Sequence, residues 1–385
     1  MMQRKHFLKL SAAATFFPAL ALPVPALGSP HFNDKQIMAD FIGDGLNFTP
    51  SEYAQLLVKL TADKKVEADS YSLGGSIETL EIKFASLLGK EAAIFMPTGT
   101  LANQLAIRVL AGNSSRVIVQ EESHVYNDSG DACQVLSNLN LLPLAAGKAT
   151  FTLDEVDRLV KKSAIGRVPE KIGVISIESP VRRKSGEVFD YEEMKRISSY
   201  ARGQHIKMHL DGARIFLAPA YTRVSVMEYT SLFDTVYVSL YKYFNAASGA
   251  ILAGPKDIIA PLYNTRRMFG SGLPQTWPLS LAAGFYADGF NERFAKAVRI
   301  AEDLIVRLKN NTNFEVLRVS NGTNIFSVSV KGISAATFVE HLKGKGVVAR
   351  IDKAMPNGLI LQVNESLLNT DAAALEKVFI KSLDS

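Results

Sequence analysis

A chain of 385 residues with 47% hydrophobic and 21% charged side chains can bury a large core, which excludes a disordered protein and predicts one large and one smaller domain. The formal charge of +5 falls to +2 once the acid-free first 28 residues, with Arg4, Lys5 and Lys9, are set aside, and no basic stripe interleaved with aromatics remains to engage nucleic acid. A single cysteine, Cys133, excludes an intrachain disulfide and offers no metal-ligand spacing.

Residues 1–28 read as a cleavable export signal: a basic start from Arg4 to Lys9, an apolar stretch from Ser11 to Leu27, and Ala26-Leu27-Gly28 before Ser29. Pro18, Pro23 and Pro25 argue against a membrane-spanning helix. The segment Arg4 to Lys9 also resembles a twin-arginine signal whose second arginine is Lys5. The expectation is a periplasmic protein that leaves the membrane after cleavage.

An N-terminal segment, 29–66, precedes a large domain, 67–285, in which strand runs alternate with helical periodicity, the mark of an α/β fold with a mainly parallel sheet. Apolar residues at helical spacing run from Ile77 to Leu88, and Ala92 to Met96 forms a buried strand. Pro97-Thr98-Gly99-Thr100 breaks the chain before a helix from Leu101 to Leu110. Further strands are predicted at Arg116 to Gln120, Ile172 to Ile177, Ile206 to Leu210 and Thr235 to Ser239. From about Asn291 the pattern becomes a small α+β domain, 286–385. Its helices are predicted at Glu292 to Lys309, Ala335 to Lys343 and Asp371 onward, with strands beginning at Phe314, Ile325, Gly346 and Leu359.

Open parallel sheets bind ligands beyond the carboxyl ends of their strands. Here those ends carry Thr98-Gly99-Thr100, Glu121 to His124, Glu178, Asp211 to Arg214 and Lys242. An amine and a carboxylate 31 residues apart, Lys242 and Asp211, span one strand-helix-strand passage. Pyridoxal phosphate (PLP) chemistry needs that pair: a lysine to carry the cofactor and an acid facing its pyridine nitrogen. The helix start at Thr98-Gly99-Thr100 suits a phosphate, and His124 could stack on a flat ring or move a proton.

The segments Gly89 to Gln104 and His209 to Phe216, with His124 between them, resemble the threonine aldolase and β-eliminating lyase family of fold-type I PLP enzymes. The resemblance implies that Lys242 carries PLP, Asp211 faces the pyridine nitrogen and His124 stacks on the ring. It further implies that Gly99 and Thr100 hold the phosphate, and that Arg214 contacts the cofactor or the substrate carboxylate. Arg266 or Arg267 would reach a phosphate, Tyr71 would line the site, and the chain would form a homodimer or homotetramer.

Four positions depart from the family pattern. Gly43 stands before Asp44 where a serine is usual, and Glu178-Ser179-Pro180-Val181 followed by Arg182 and Arg183 replaces Glu-Asn-Thr-His. The small-domain arginine is missing near Leu359 to Leu361, with Arg350 close in sequence, and Tyr241-Lys242-Tyr243 replaces Ser-Lys-Gly. Arg182 or Arg183 is therefore expected to meet an anionic or bulky group at the far end of the substrate. The implied reaction is aldol cleavage of a β-hydroxy-α-amino acid to glycine and an aldehyde. The alternatives are β-elimination to a keto acid and ammonia, and a PLP-binding module without catalysis.

Overall fold

Runs such as Thr235–Ser239 and Ala250–Gly254, buried at every position, are the mark of strands covered on both faces. The computed structural model describes residues 37–62, 66–165 and 167–384, so the expected export signal lies outside the described residues. The strands are, in chain order, β1 (Ala39–Asp40), β2 (Ala92–Met96), β3 (Arg116–Gln120), β4 (Asn140–Leu144), β5 (Ile172–Glu178), β6 (Lys207–Asp211), β7 (Thr235–Ser239), β8 (Ala250–Gly254), β9 (Phe314–Arg318), β10 (Ile325–Val330), β11 (Val347–Val348), β12 (Arg350–Asp352) and β13 (Gly358–Gln362).

Seven of them form the central sheet in the order β2-β8-β7-β6-β5-β3-β4. All its pairings are parallel except the two made by β8, which runs antiparallel between β2 and β7. The predicted mainly parallel α/β architecture is therefore correct, although β4 and β8 carry no strand expectation from sequence. Alternation along β7 explains the double cover: Val236 and Val238 pack in the same cluster as Phe84, while Tyr237 between them packs with Ala102 and Leu105 of the helix Gly99–Ala111. The strand order reverses around β3, which has β4 on one side and β5 on the other, and such a switch point opens a crevice at the strand ends.

A second, antiparallel sheet runs β12-β13-β10-β9, and the helices Phe290–Lys309, Ala335–Gly344 and Ala372–Lys381 contribute to its core. β1 pairs with β11, Ala39 opposite Val347, which ties the start of the described chain to this C-terminal part. Residues 37–385 group as one compact unit. An aromatic cluster joins the turn after β7 to the helix Phe290–Lys309: Tyr243 and Phe244 stand 4.6 Å apart and Phe244 and Phe290 5.2 Å apart. Burying side chains of this size contributes about 1.5–3 kcal/mol each, so the turn that carries Lys242 is fixed from behind.

Candidate active site

A cavity of about 750 Å³ opens beyond the carboxyl ends of the central strands. It brings together Lys242, Asp211, His124, Gly99, Thr100, Arg214 and Arg182, seven of the residues singled out from sequence.

Lys242 follows β7 by three residues and is anchored by the buried Tyr243 and Phe244. Its amine lies 4.7 Å above the Tyr241 ring and 3.5 Å from the Tyr241 hydroxyl. Burial, reinforced by the Arg214 charge, pushes the amine down to about 8, so it is far more readily uncharged than an ordinary lysine. The segment around Asp44 crosses directly over this turn. A Cβ on Gly45 would stand 2.2 Å from the Lys242 carbonyl oxygen, which makes glycine obligatory for the approach.

Asp211 ends β6 and is buried. Its Oδ2 accepts a hydrogen bond from Asn103 Nδ2 at 2.6 Å and its Oδ1 accepts the Ala213 N–H at 3.2 Å, so both oxygens are held in place. Glu178, at the end of neighbouring β5, accepts the His124 N–H on Oε2 at 2.6 Å and the Arg182 N–H on Oε1 at 2.8 Å. It therefore positions two cavity residues through their backbones. Burial first, and then the Asp211 charge, push the Glu178 carboxyl up to about 7.

The helix Gly99–Ala111 begins at the cavity wall. Thr98 caps it by accepting the Leu101 N–H, and the first N–H groups, those of Gly99 and Thr100, have no intrahelical acceptor. A Cβ on Gly99 would lie 1.9 Å from the Tyr237 hydroxyl oxygen, so the helix start rests against the β7 side chain. These groups fit PLP: a helix N-terminus for the phosphate, an amine of lowered basicity for the aldehyde, and a carboxylate with two donors already in place for the pyridine nitrogen.

Arg214 Nε donates to Asp44 Oδ2 at 2.8 Å, and Asn324 Nδ2 donates to Asp44 Oδ1 at 3.1 Å. At the mouth, Arg182 and Arg183 both pair with Asp128, and Arg183 also reaches Glu122 at 3.7 Å.

Three expected site residues lie elsewhere. Arg266 is buried outside the cavity, its guanidinium donating to the Phe95 and Ser72 carbonyl oxygens and packed 5.0 Å from the Tyr263 ring. With its donors turned to backbone, it faces no phosphate position in this chain. Tyr71 lies on the surface, about half exposed, under the Arg267 guanidinium at 5.0 Å, and does not line the cavity. Arg350, on β12, donates to Gln362 Oε1 at 3.2 Å and touches the cavity only at second hand, because the same oxygen accepts the Gly43 N–H.

Sequence reasoning passed over Asn103, His209 and Tyr237. Asn103 lies one helical turn after Gly99, a spacing that could have placed it beneath the helix start.

The family model for β-eliminating lyases matches residues 54–331. The chain is 31% identical over 286 residues to the low specificity L-threonine aldolase of Escherichia coli K12, covering 73% of this chain and 82% of that one. It is 30% identical over 312 residues to the probable low-specificity L-threonine aldolase of Schizosaccharomyces pombe, covering 80% of each. A provisionally assigned L-allo-threonine aldolase structure from Listeria monocytogenes matches 90% of this chain and 95% of its own, with 27% identity and a TM-score of 0.73.

Proposed function

The chain belongs to the β-eliminating lyase family, and from that premise we propose that it is a PLP-dependent carbon–carbon lyase that cleaves β-hydroxy-α-amino acids into glycine and an aldehyde. The observation that carries this reading is the meeting, in one cavity, of the Lys242 amine at about 8 with the buried Asp211 carboxylate and a free helix N-terminus.

PLP bound there supplies an electron sink for the pair of the breaking Cα–Cβ bond. Lys242, its amine in the cavity and of lowered basicity, is the residue that would hold the cofactor's aldehyde. Asp211 is the carboxylate that would accept the N–H of the pyridine ring and keep that nitrogen protonated. The Gly99 and Thr100 N–H groups bind the phosphate, and Arg214, steadied by Asp44, binds the substrate carboxylate. His124, on the cavity wall, would cover the ring. Its Nδ1 lies 3.4 Å from Ser129 Oγ, which leaves Nε2 to take the β-hydroxyl proton.

Incubating the PLP-loaded enzyme with a panel of β-hydroxy amino acids and identifying the products tests this. Glycine with an aldehyde supports it. A keto acid with ammonia would assign β-elimination instead, and spectral silence across the panel would leave a binding module.

Two further parts of the reading concern the whole protein. A homodimer or homotetramer is supported by apolar side chains exposed on the helices Pro50–Ala62, Gly75–Leu87 and Trp277–Ala287: Val58, Ile82 and Phe285. Light scattering of the purified protein tests it, a monomer ruling it out. Export to the periplasm is supported by the composition of residues 1–28 and is tested by cell fractionation, retention of the full precursor in the cytoplasm ruling it out.

A further inference from the structure

His209 precedes Asp211 by two residues on β6, so both side chains leave the same face of the sheet, toward the helix Gly99–Ala111. The imidazole is fully buried, with Nδ1 2.8 Å from Thr235 Oγ1 and Nε2 2.9 Å from Asn103 Oδ1. The other end of the Asn103 amide reaches Asp211. Neither His209 nor Asn103 lines the cavity.

We propose that Thr235, His209 and Asn103 form a one-way hydrogen-bond chain that holds the Asp211 carboxylate aimed at the cofactor's ring nitrogen, with His209 as its positioning residue. The proposal rests on the role given to Asp211 above. Its direction follows from hydrogen-bond valence. An amide can offer a carboxylate only its NH2 group, so Asn103 must turn its carbonyl oxygen to His209. That oxygen needs a donor, which places the imidazole proton on Nε2. Nδ1 is then a lone pair and accepts the Thr235 hydroxyl.

The reversed arrangement would put the Asn103 carbonyl against Asp211 and require a protonated carboxyl, useless for keeping a pyridine nitrogen charged. Burial keeps His209 neutral by pushing it down to about 4, so no second cation competes with the ring for Asp211. The chain thus joins β7, β6 and the covering helix beneath the cofactor, and at its far end fixes the orientation of one carboxylate.

The test uses the holoenzyme and three readouts: PLP affinity by absorbance titration, the pH midpoint of the bound cofactor's visible band, and kcat against KM. Asn103→Leu removes a hydrogen bond to the Asp211 carboxylate, and His209→Phe removes the neutral donor that holds Asn103 in that orientation. They are expected to weaken PLP binding and lower kcat by about 10- to 100-fold, move the spectral midpoint, and leave KM unchanged. His209→Gln retains an N–H donor and is expected to recover most of the loss.

Wild-type affinity and midpoint in Asn103→Leu would overturn the proposal, as would a His209→Gln enzyme no better than His209→Phe. If His209→Phe does not fold, Asn103→Leu and Thr235→Val decide with the same readouts. Asp211→Asn separates the two layers. If it abolishes tight PLP binding while the relay variants do not, only the relay fails; if Asp211→Asn itself binds PLP normally, the role given to Asp211 fails.

Discussion

Asp44 and Arg214 lie 170 positions apart in the chain and meet at 2.8 Å, both nearly buried. The same carboxylate takes the Asn324 amide just before β10, so Asp44 ties the N-terminal segment to the loop after β6 and to the entry of the second sheet. Removing one partner of a buried ion pair strands the other charge. Asp44→Ala is therefore expected to cost about 3 kcal/mol in denaturant unfolding and to raise KM for the amino acid, because Arg214 loses its bearing. A cost under about 1 kcal/mol would show that water already compensates the pair.

Gly99→Ala tests the phosphate cradle. The added methyl would lie 1.9 Å from the Tyr237 hydroxyl, and Tyr237 is fixed on the central strand β7. The helix start must therefore move and carry its N–H groups away from the phosphate. PLP affinity is expected to fall at least about tenfold, the worth of one hydrogen bond to a charged group, with the far-ultraviolet spectrum unchanged. Fluorescence titration checks this, and unchanged affinity would remove Gly99 from the cradle.

The Lys242 amine at about 8 predicts how the apoenzyme takes up PLP. Only the uncharged amine attacks the aldehyde, so the initial rate of visible-band formation is expected to rise with pH to a midpoint near 8 rather than near the ordinary lysine value. The depression is due first to burial and second to Arg214. Replacing Arg214 by Met should consequently move the midpoint upward. A wild-type midpoint at the ordinary lysine value would overturn the assignment.

What sequence could disclose followed from local order. Strand ends are legible because an apolar run stops at a polar residue, and so Asp211, Glu178, Lys242 and Thr98-Gly99-Thr100 could be assigned to one edge of the sheet before any contact was known. β8 was missed because the short Ala-Ile-Leu-Ala-Gly run has no alternation to distinguish it and pairs antiparallel inside an otherwise parallel sheet. Arg266 and Arg267 are adjacent on one short helix, and which of them turns inward is a matter of packing against Phe95 and Tyr263 that spacing does not encode. Asn103 and His209 were hidden for the same reason: each is an ordinary polar residue until the fold sets it 2.6 to 2.9 Å from a partner more than a hundred positions away.

The Arg182–Asp128 pair at the cavity mouth bears on the choice of substrate. An acidic group on the distal end of an amino acid would compete with Asp128 for the guanidinium. Arg182→Ala should lower kcat/KM for acidic relative to neutral β-hydroxy substrates, and Asp128→Asn should raise it, each roughly two- to fivefold as expected for a partly exposed pair. A ratio unchanged in both variants would exclude the pair from selecting substrates.

His209 and Glu178 give opposite pH dependences to the stability of the apoprotein. Burial holds His209 at about 4 in the folded chain, against 6.5 in the unfolded one. Between those values the unfolded state binds a proton that the folded state refuses, so this contribution is complete above 6.5 and is lost as pH falls toward 4. Glu178 is shifted the other way, from 4.5 up to about 7. Between those values the folded state keeps a proton that the unfolded state has released, so its contribution is present below 4.5 and is lost as pH rises through 7. Over the shared window each group contributes at most about 1.4 kcal/mol per pH unit, with opposite sign, and the two largely cancel. Relative to wild type, Glu178→Gln should therefore make stability rise more steeply with pH between 4.5 and 6.5, and His209→Gln should make it fall. Unfolding free energies measured at intervals across that window decide the matter: variant slopes parallel to wild type would mean that neither group is held in the protonation state its burial dictates.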